Sequence, residues 1–195
     1  MTAPHAHVLT TFEGGAALSD FRTAALLTRL QAAVPGVVAV SARHTHWVAT
    51  NAPLGDADHA TLARLLTYGD PYAAPAAEVA ALPAATVVVA PRLGTISPWS
   101  SKATDIAHNA GLAIQRVERV THVTLHGATL TDEQWQACAA VLHDPMTESA
   151  LRHPEDAAHL FDERDPEPLE HVDVLGAGRA ALETANASYG LALSD

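Results

Sequence analysis

Apolar side chains recur along this chain in two alternating rhythms, one of strands and one of helices. Residues 6–12 form a short apolar run that predicts a strand. Ser19 then stands where a helix cap is needed, and Phe21, Ala24, Leu27, Leu30 and Val34 follow three or four apart, the spacing of one helix face. Val37–Ala49 is rich in β-branched and aromatic residues and predicts a long strand. Asp56 is the expected cap of a second helix carrying Leu62, Leu65 and Leu66. A Pro- and Ala-rich connection over 70–85 interrupts the series. The order then returns as a strand at 86–90, a helix at 98–110, a strand at 115–126 and a helix at 132–143. Thr131 and Gln134 have the spacing of a capping box for the last of these.

The second series overlays the first. Shifting by 76 residues (122 − 46) places His46 on His122, Leu54 on Leu130, Asp56 on Asp132, Leu65 on Val141 and Leu66 on Leu142. A shift of 79 (103 − 24) places Ala24 on Ala103 and Leu27 on Ile106. Two copies are too few for a solenoid, so the expected fold is α+β: a duplicated βαβα unit with antiparallel or mixed sheets and helices packed on them. The halves fall at about 1–70 and 84–145. From 146 to 170 the composition turns to Pro, Asp, Glu and His with Leu160-Phe161 as the one apolar anchor, which predicts a linker holding at most a short helix. Helical spacing resumes across 171–195 through Val174, Leu175, Leu182, Ala185 and Leu191.

Composition narrows the function classes. Alanine dominates the apolar fraction and aromatics are 5 %, so helices should pack closely on small side chains. A formal charge of −11 with only 11 Lys and Arg disfavours nucleic-acid and anionic-membrane partners, which need basic patches. One cysteine precludes an intramolecular disulfide, and Cys138 falls on the apolar face of its helix between Trp135 and Val141, a core position. The N-terminal residues lack the basic start and apolar run of a signal peptide, and no apolar window is long enough to span a bilayer; a cytoplasmic location is expected.

The most distinctive stretch is PRLGTISPWSSKATDIAHNAG, Pro91–Gly111. A loop crowded with hydroxyls leads into a helix capped by Ser97, with Pro98 at its first position and Gly111 at its end. The apolar stripe of that helix is Ala103, Ile106, Ala107 and Ala110. This run closely resembles one in the large, single-chain phosphoribosylformylglycinamidine (FGAM) synthases of purine synthesis. Further likeness lies in Pro53-Leu54, in Leu62–Gly69 and in Leu130–Trp135, so the resemblance covers about 15 to 145. It implies an N-terminal domain built like two fused copies of the small PurS subunit, with 171–195 resembling the first helix of the family's linker domain, cut short at Asp195. It also implies an enzyme that couples glutamine hydrolysis to ATP-driven amidation of formylglycinamide ribonucleotide (FGAR). In that family the ATP, magnesium and glutaminase residues lie C-terminal to everything present here.

Candidate chemistry is therefore sparse. The residues supply no nucleophile elbow, Cys-His pair or acidic pair, and the expected catalytic, cofactor and metal residues of this segment are none. ATP and Mg²⁺ are expected only in the full enzyme. His5/His7 and His44/His46 are each two apart, a strand spacing that could pair zinc ligands, yet a closed site needs two more; packed or solvated histidines fit better. Arg92, Thr95, Ser97, Trp99, Ser100, Ser101, Lys102 and Asp105 form the expected interface. These side chains either cap the helix and pin the loop against a neighbouring domain, or assist its N-terminus in holding a phosphate. The expected partners are the synthase and glutaminase domains of the same enzyme, and the expected role is a scaffold that catalyses nothing alone. A free-standing PurS-like assembly subunit and an unrelated anion-binding α/β module are the rival readings.

Overall fold

A computed structural model describes residues 7–162, 169–191, 193 and 194. His5, and residues 163–168 of the predicted linker, lie outside the described residues. The chain divides into two units, Met1–Glu163 and Arg164–Asp195.

In the first unit the elements run β1 (Val8–Ala16), α1 (Asp20–Ala33), β2 (Ala39–Thr50), α2 (Asp56–Leu65), a single turn α3 (Ala77–Ala80), β3 (Ala84–Pro91), α4 (Pro98–Asn109), β4 (Arg116–His126), α5 (Asp132–Leu142) and β5 (Glu148–Leu151). A 3₁₀ helix, Pro154–Phe161, follows. The five strands form one sheet in the order β1-β2-β4-β3-β5, and every neighbouring pair is antiparallel. The expected α+β class with helices on a sheet is what the fold shows. Part of the predicted linker is a correction: 148–161 joins the fold, because β5 pairs with β3 and Leu160 and Phe161 bury against Val88, Ala90 and Val120. A four-residue strand has too few positions to show periodicity, and a 3₁₀ turn does not follow the helical repeat.

Sheet parity sorts the core. On one face, α1 and α5 cover Val40, Ala42, Val87, Val89, Val123 and Leu125. At the other end of that face, α2 and α4 meet over Phe12, Val48 and Val117. Side chains alternate faces along a strand, so Val40, Ala42 and Val48 point the same way and Ala49 points the other, toward the 3₁₀ helix. Thus two helix pairs share one face. Leu30 and Leu62 are the buried anchors of α1 and α2, whereas Phe21, expected in the stripe of α1, is 84 % exposed. Ile106 of α4 is likewise exposed. Both sit on the outer flank of their helices, where spacing alone does not separate core from rim.

The elements recur in order, but the residue correspondence differs from the overlay of the sequence. His46 faces Arg119 across β2 and β4, while His122 faces Arg43, so the two histidines lie on opposite faces. Strands related by a twofold normal to this sheet would need an odd offset in this register. An offset of 77 (117 − 40 and 125 − 48) aligns Val40 with Val117 and Val48 with Leu125, all buried under the helices.

Local chemistry closes the ends. Thr131 and Gln134 form the reciprocal capping box of α5, and Cys138 is fully buried. Asp56 is the first residue of α2 rather than its cap, which is Gly55; its carboxylate still favours the positive helix end. Gly127 ends β4 at φ +100°, and a Cβ there would stand 2.7 Å from the Gly36 carbonyl oxygen and 2.8 Å from Val38 Cγ2. Backbone strain plus this collision should make Gly127→Ala cost ~2–3 kcal/mol in chemical denaturation.

The second unit is the helix α6, Val174–Tyr189. Asp173 caps it by accepting from Gly176 N–H at 2.8 Å, it kinks at Gly178, and Gly190 ends it in the left-handed region.

Candidate functional site

The start of α4 is fixed from within. Ser97 Oγ accepts from Ser100 N–H at 3.0 Å and donates to a carboxylate oxygen of Glu118 at 2.9 Å, while Ser97 N–H donates to the other oxygen at 3.4 Å. Glu118 has no exposure to solvent. It lies in the stretch of β4 beyond the reach of β3, where Val117 N–H instead donates to Thr104 Oγ1 at 3.1 Å. Arg116 pairs with Glu118 at 3.6 Å, lies 4.7 Å over the Phe161 ring and donates to the Leu160 carbonyl. Burial pushes the Glu118 pKa up, and the Ser97 bond and Arg116 pull against that rise. A protein carboxylate therefore occupies the anion-favouring helix end.

Beside it lies an aromatic and cationic cluster. His46 Nε2 and Tyr68 Oη are 2.8 Å apart, and His46 stacks on Trp99 with ring centroids 5.5 Å apart. The Arg119 guanidinium sits 4.9 Å over the Trp99 ring and donates to Tyr68 Oη at 3.3 Å. Thr121 and His44 join on the next pair of that face, 3.2 Å apart. Burial, then neighbouring His44 and Arg119, hold His46 at about 4; burial and Arg119 do the same for His44. Both rings are neutral near pH 7 and serve as packed hydrogen-bonding groups.

The eight residues expected at the interface separate. Ser97 and Ser100 turn inward, and Ser100 is fully buried. Trp99 is half-buried in the ring cluster, while Arg92, Thr95, Ser101, Lys102 and Asp105 are exposed. The loop itself is tied down: Arg92 N–H donates to the Thr147 carbonyl at 3.0 Å, Leu93 N–H to Ser149 Oγ at 3.4 Å, and Thr95 Oγ1 to the Arg92 carbonyl at 2.6 Å. Glu118, Arg119 and Tyr68 went unnoticed in the pattern. The available signal was the charged trio Arg116, Glu118 and Arg119 set among Val117, Val120, Val123 and Leu125, since charges in a strand that buries need partners. His7 is described, but His44 and His46 contact Thr121 and Tyr68 rather than one another's metal-ligand geometry; among the described residues no group of three or more His, Cys, Asp and Glu could hold a metal ion. Burial raises the Cys138 thiol pKa, which suits a packed side chain.

What these features define is a helix-on-sheet α+β domain with a rigidly held loop at the start of α4. The sequence places it further: residues 43–161 match the family model described as formylglycinamide ribonucleotide amidotransferase N-terminal. The chain belongs to that family, the N-terminal domain of an amidotransferase of purine biosynthesis. The match includes β5 and ends with the last residue of the 3₁₀ helix, Phe161. Among the described residues no helix is long and apolar enough to cross a membrane.

Proposed function

We propose that this chain is the N-terminal assembly portion of FGAM synthase, docking the synthase and glutaminase domains that make FGAM from FGAR, glutamine and ATP. The observation that carries the reading is a stiff surface with sticky contents. The loop before α4 is bonded to β5 and to Glu118, yet Ile96 and Ile106 are 60 % and 50 % exposed beside exposed Arg92 and Lys102. Apolar side chains held out on a rigid frame are an association surface, because ordering costs little on binding. In this role the segment contributes no catalytic group, binds no nucleotide, and keeps two active sites in the geometry ammonia transfer requires. The recurrence of strand, helix, strand, helix supports descent from a doubled PurS-like unit.

The test is made in the complete amidotransferase. Lys102→Glu and Ile106→Asp are exposed changes that leave the sheet intact. Each should lower glutamine-dependent FGAM formation, while glutamate release persists uncoupled from amidation. Unaltered coupling in both variants contradicts the proposal.

A further inference from the structure

A trough crosses the helix-covered face between the two helix pairs. Three cavities make it up. The first, about 390 Å³, lies along α1 and α5 and includes Phe21, Arg22 and Arg29. It shares Val89 and Thr121 with a second of about 210 Å³ that holds Arg119. The second shares Trp99 with a third of about 240 Å³, between α2 and α4, that holds Lys102.

The charge of this trough opposes that of the chain. Acidic residues outnumber basic ones 22 to 11 overall. Arg43, Arg116 and Arg152 of the same unit are in ion pairs, and none of the three lines the trough. Arg22, Arg29, Lys102 and Arg119 line it, and none is in an ion pair among the described residues. The one carboxylate on its walls, Glu148, accepts from Asp144 N–H at 2.9 Å. Between the cations the walls are apolar, with Phe21 largely exposed at one end and Ile106 half-exposed at the other.

The geometry points to a docking trough for an acidic, apolar-anchored segment of a protein partner, the remainder of the amidotransferase. This rests on the assembly role proposed above and adds the face and the chemistry of its partner. Cations distributed over three adjoining cavities suit a chain with several carboxylates, whereas a single phosphate needs donors converging on one point. A twofold pairing of two copies through this face would set like charges against each other. An acidic segment gains from both features: its carboxylates meet guanidinium groups whose partners in the chain are neutral, the Val141 carbonyl for Arg29 and Tyr68 with Trp99 for Arg119, and its apolar side chains cover Phe21 and Ile106.

Calorimetric titration of the 195-residue chain into the separately expressed synthase and glutaminase portion tests this at low and high salt. Binding should weaken as salt rises. The double variant R22E/R29E should bind about tenfold more weakly or worse and lose much of that salt dependence. Phe21→Ala should weaken binding without changing the salt dependence, and Arg64→Glu, exposed on α2 outside the trough, should bind like the parent. Unfolding midpoints equal to the parent's establish that the variants fold; hydrogen exchange should show α1 protected by the partner. Parent-like binding by R22E/R29E and Phe21→Ala overturns the trough and leaves the assembly role standing. Absence of binding by the parent overturns both. Heat from inorganic phosphate that R22E/R29E abolishes, or self-association that it abolishes, overturns the assigned occupant.

Discussion

Replacing Glu118 by alanine should cost about 3 kcal/mol, the low end of what removing one partner from a buried ion pair does, because Arg116 is only half-buried. The substitution strips Ser97 of the acceptor for both its N–H and its hydroxyl and leaves Arg116 without a counter-charge. It also opens a void under the start of α4. Glu118→Gln keeps the volume and one acceptor oxygen, so it should lose less, about 1–2 kcal/mol. The sign of the pH dependence separates the causes. Burial raises the Glu118 pKa in the folded chain, so its contribution is present in full below the unfolded value and is lost as pH rises through the folded one. The stability gap between the parent and Glu118→Gln should therefore narrow as pH rises. Urea titrations at a series of pH values give all three quantities. An alanine variant as stable as the parent would mean that the carboxylate does not hold the α4 loop.

Acidification supplies the second large effect. His44 and His46 have folded pKa values of about 4 against 6.5 for the free side chain. A depressed histidine pKa means that the unfolded chain takes up a proton before the folded one does. Stability should accordingly fall as pH drops from about 6.5 to about 4, and level off below. His46, buried against Trp99 and Tyr68, should account for roughly 2 kcal/mol, and the partly exposed His44 for less. His122, lowered by burial and by Arg43, acts in the same direction. His46→Gln cannot gain a proton, so its unfolding midpoint should be lower at neutral pH but flatter across this window. A variant that tracks the parent's slope would place the proton uptake elsewhere.

Much of this fold is legible in the chain because its long elements obey their periods. Leu30, Leu62, Cys138 and the strand valines bury as their spacing requires, and Thr131 with Gln134 caps α5 as their separation indicates. The limits have equally physical origins. Letter matching favours His46 over His122, but a one-residue change in offset moves every side chain of a strand to the other face, and only the pairing register reveals it. Phe21 obeys helical spacing yet lies at the edge of the face, where the neighbouring element decides exposure. The candidate site was half visible. The capped, hydroxyl-rich loop is plain in the sequence, whereas its anchor Glu118 is 21 residues distant and its stacking partner His46 further still. Contacts between residues so separated follow from topology, not from local pattern.

The most direct measurement adds this chain to the synthase and glutaminase portion made without it, and follows FGAM produced from FGAR, ATP and glutamine. An assembly portion predicts no product from the chain alone, weak or uncoupled turnover from the portion lacking it, and coupled turnover when the two are combined. Product formed at full rate without the chain, or by the chain by itself, would contradict that account.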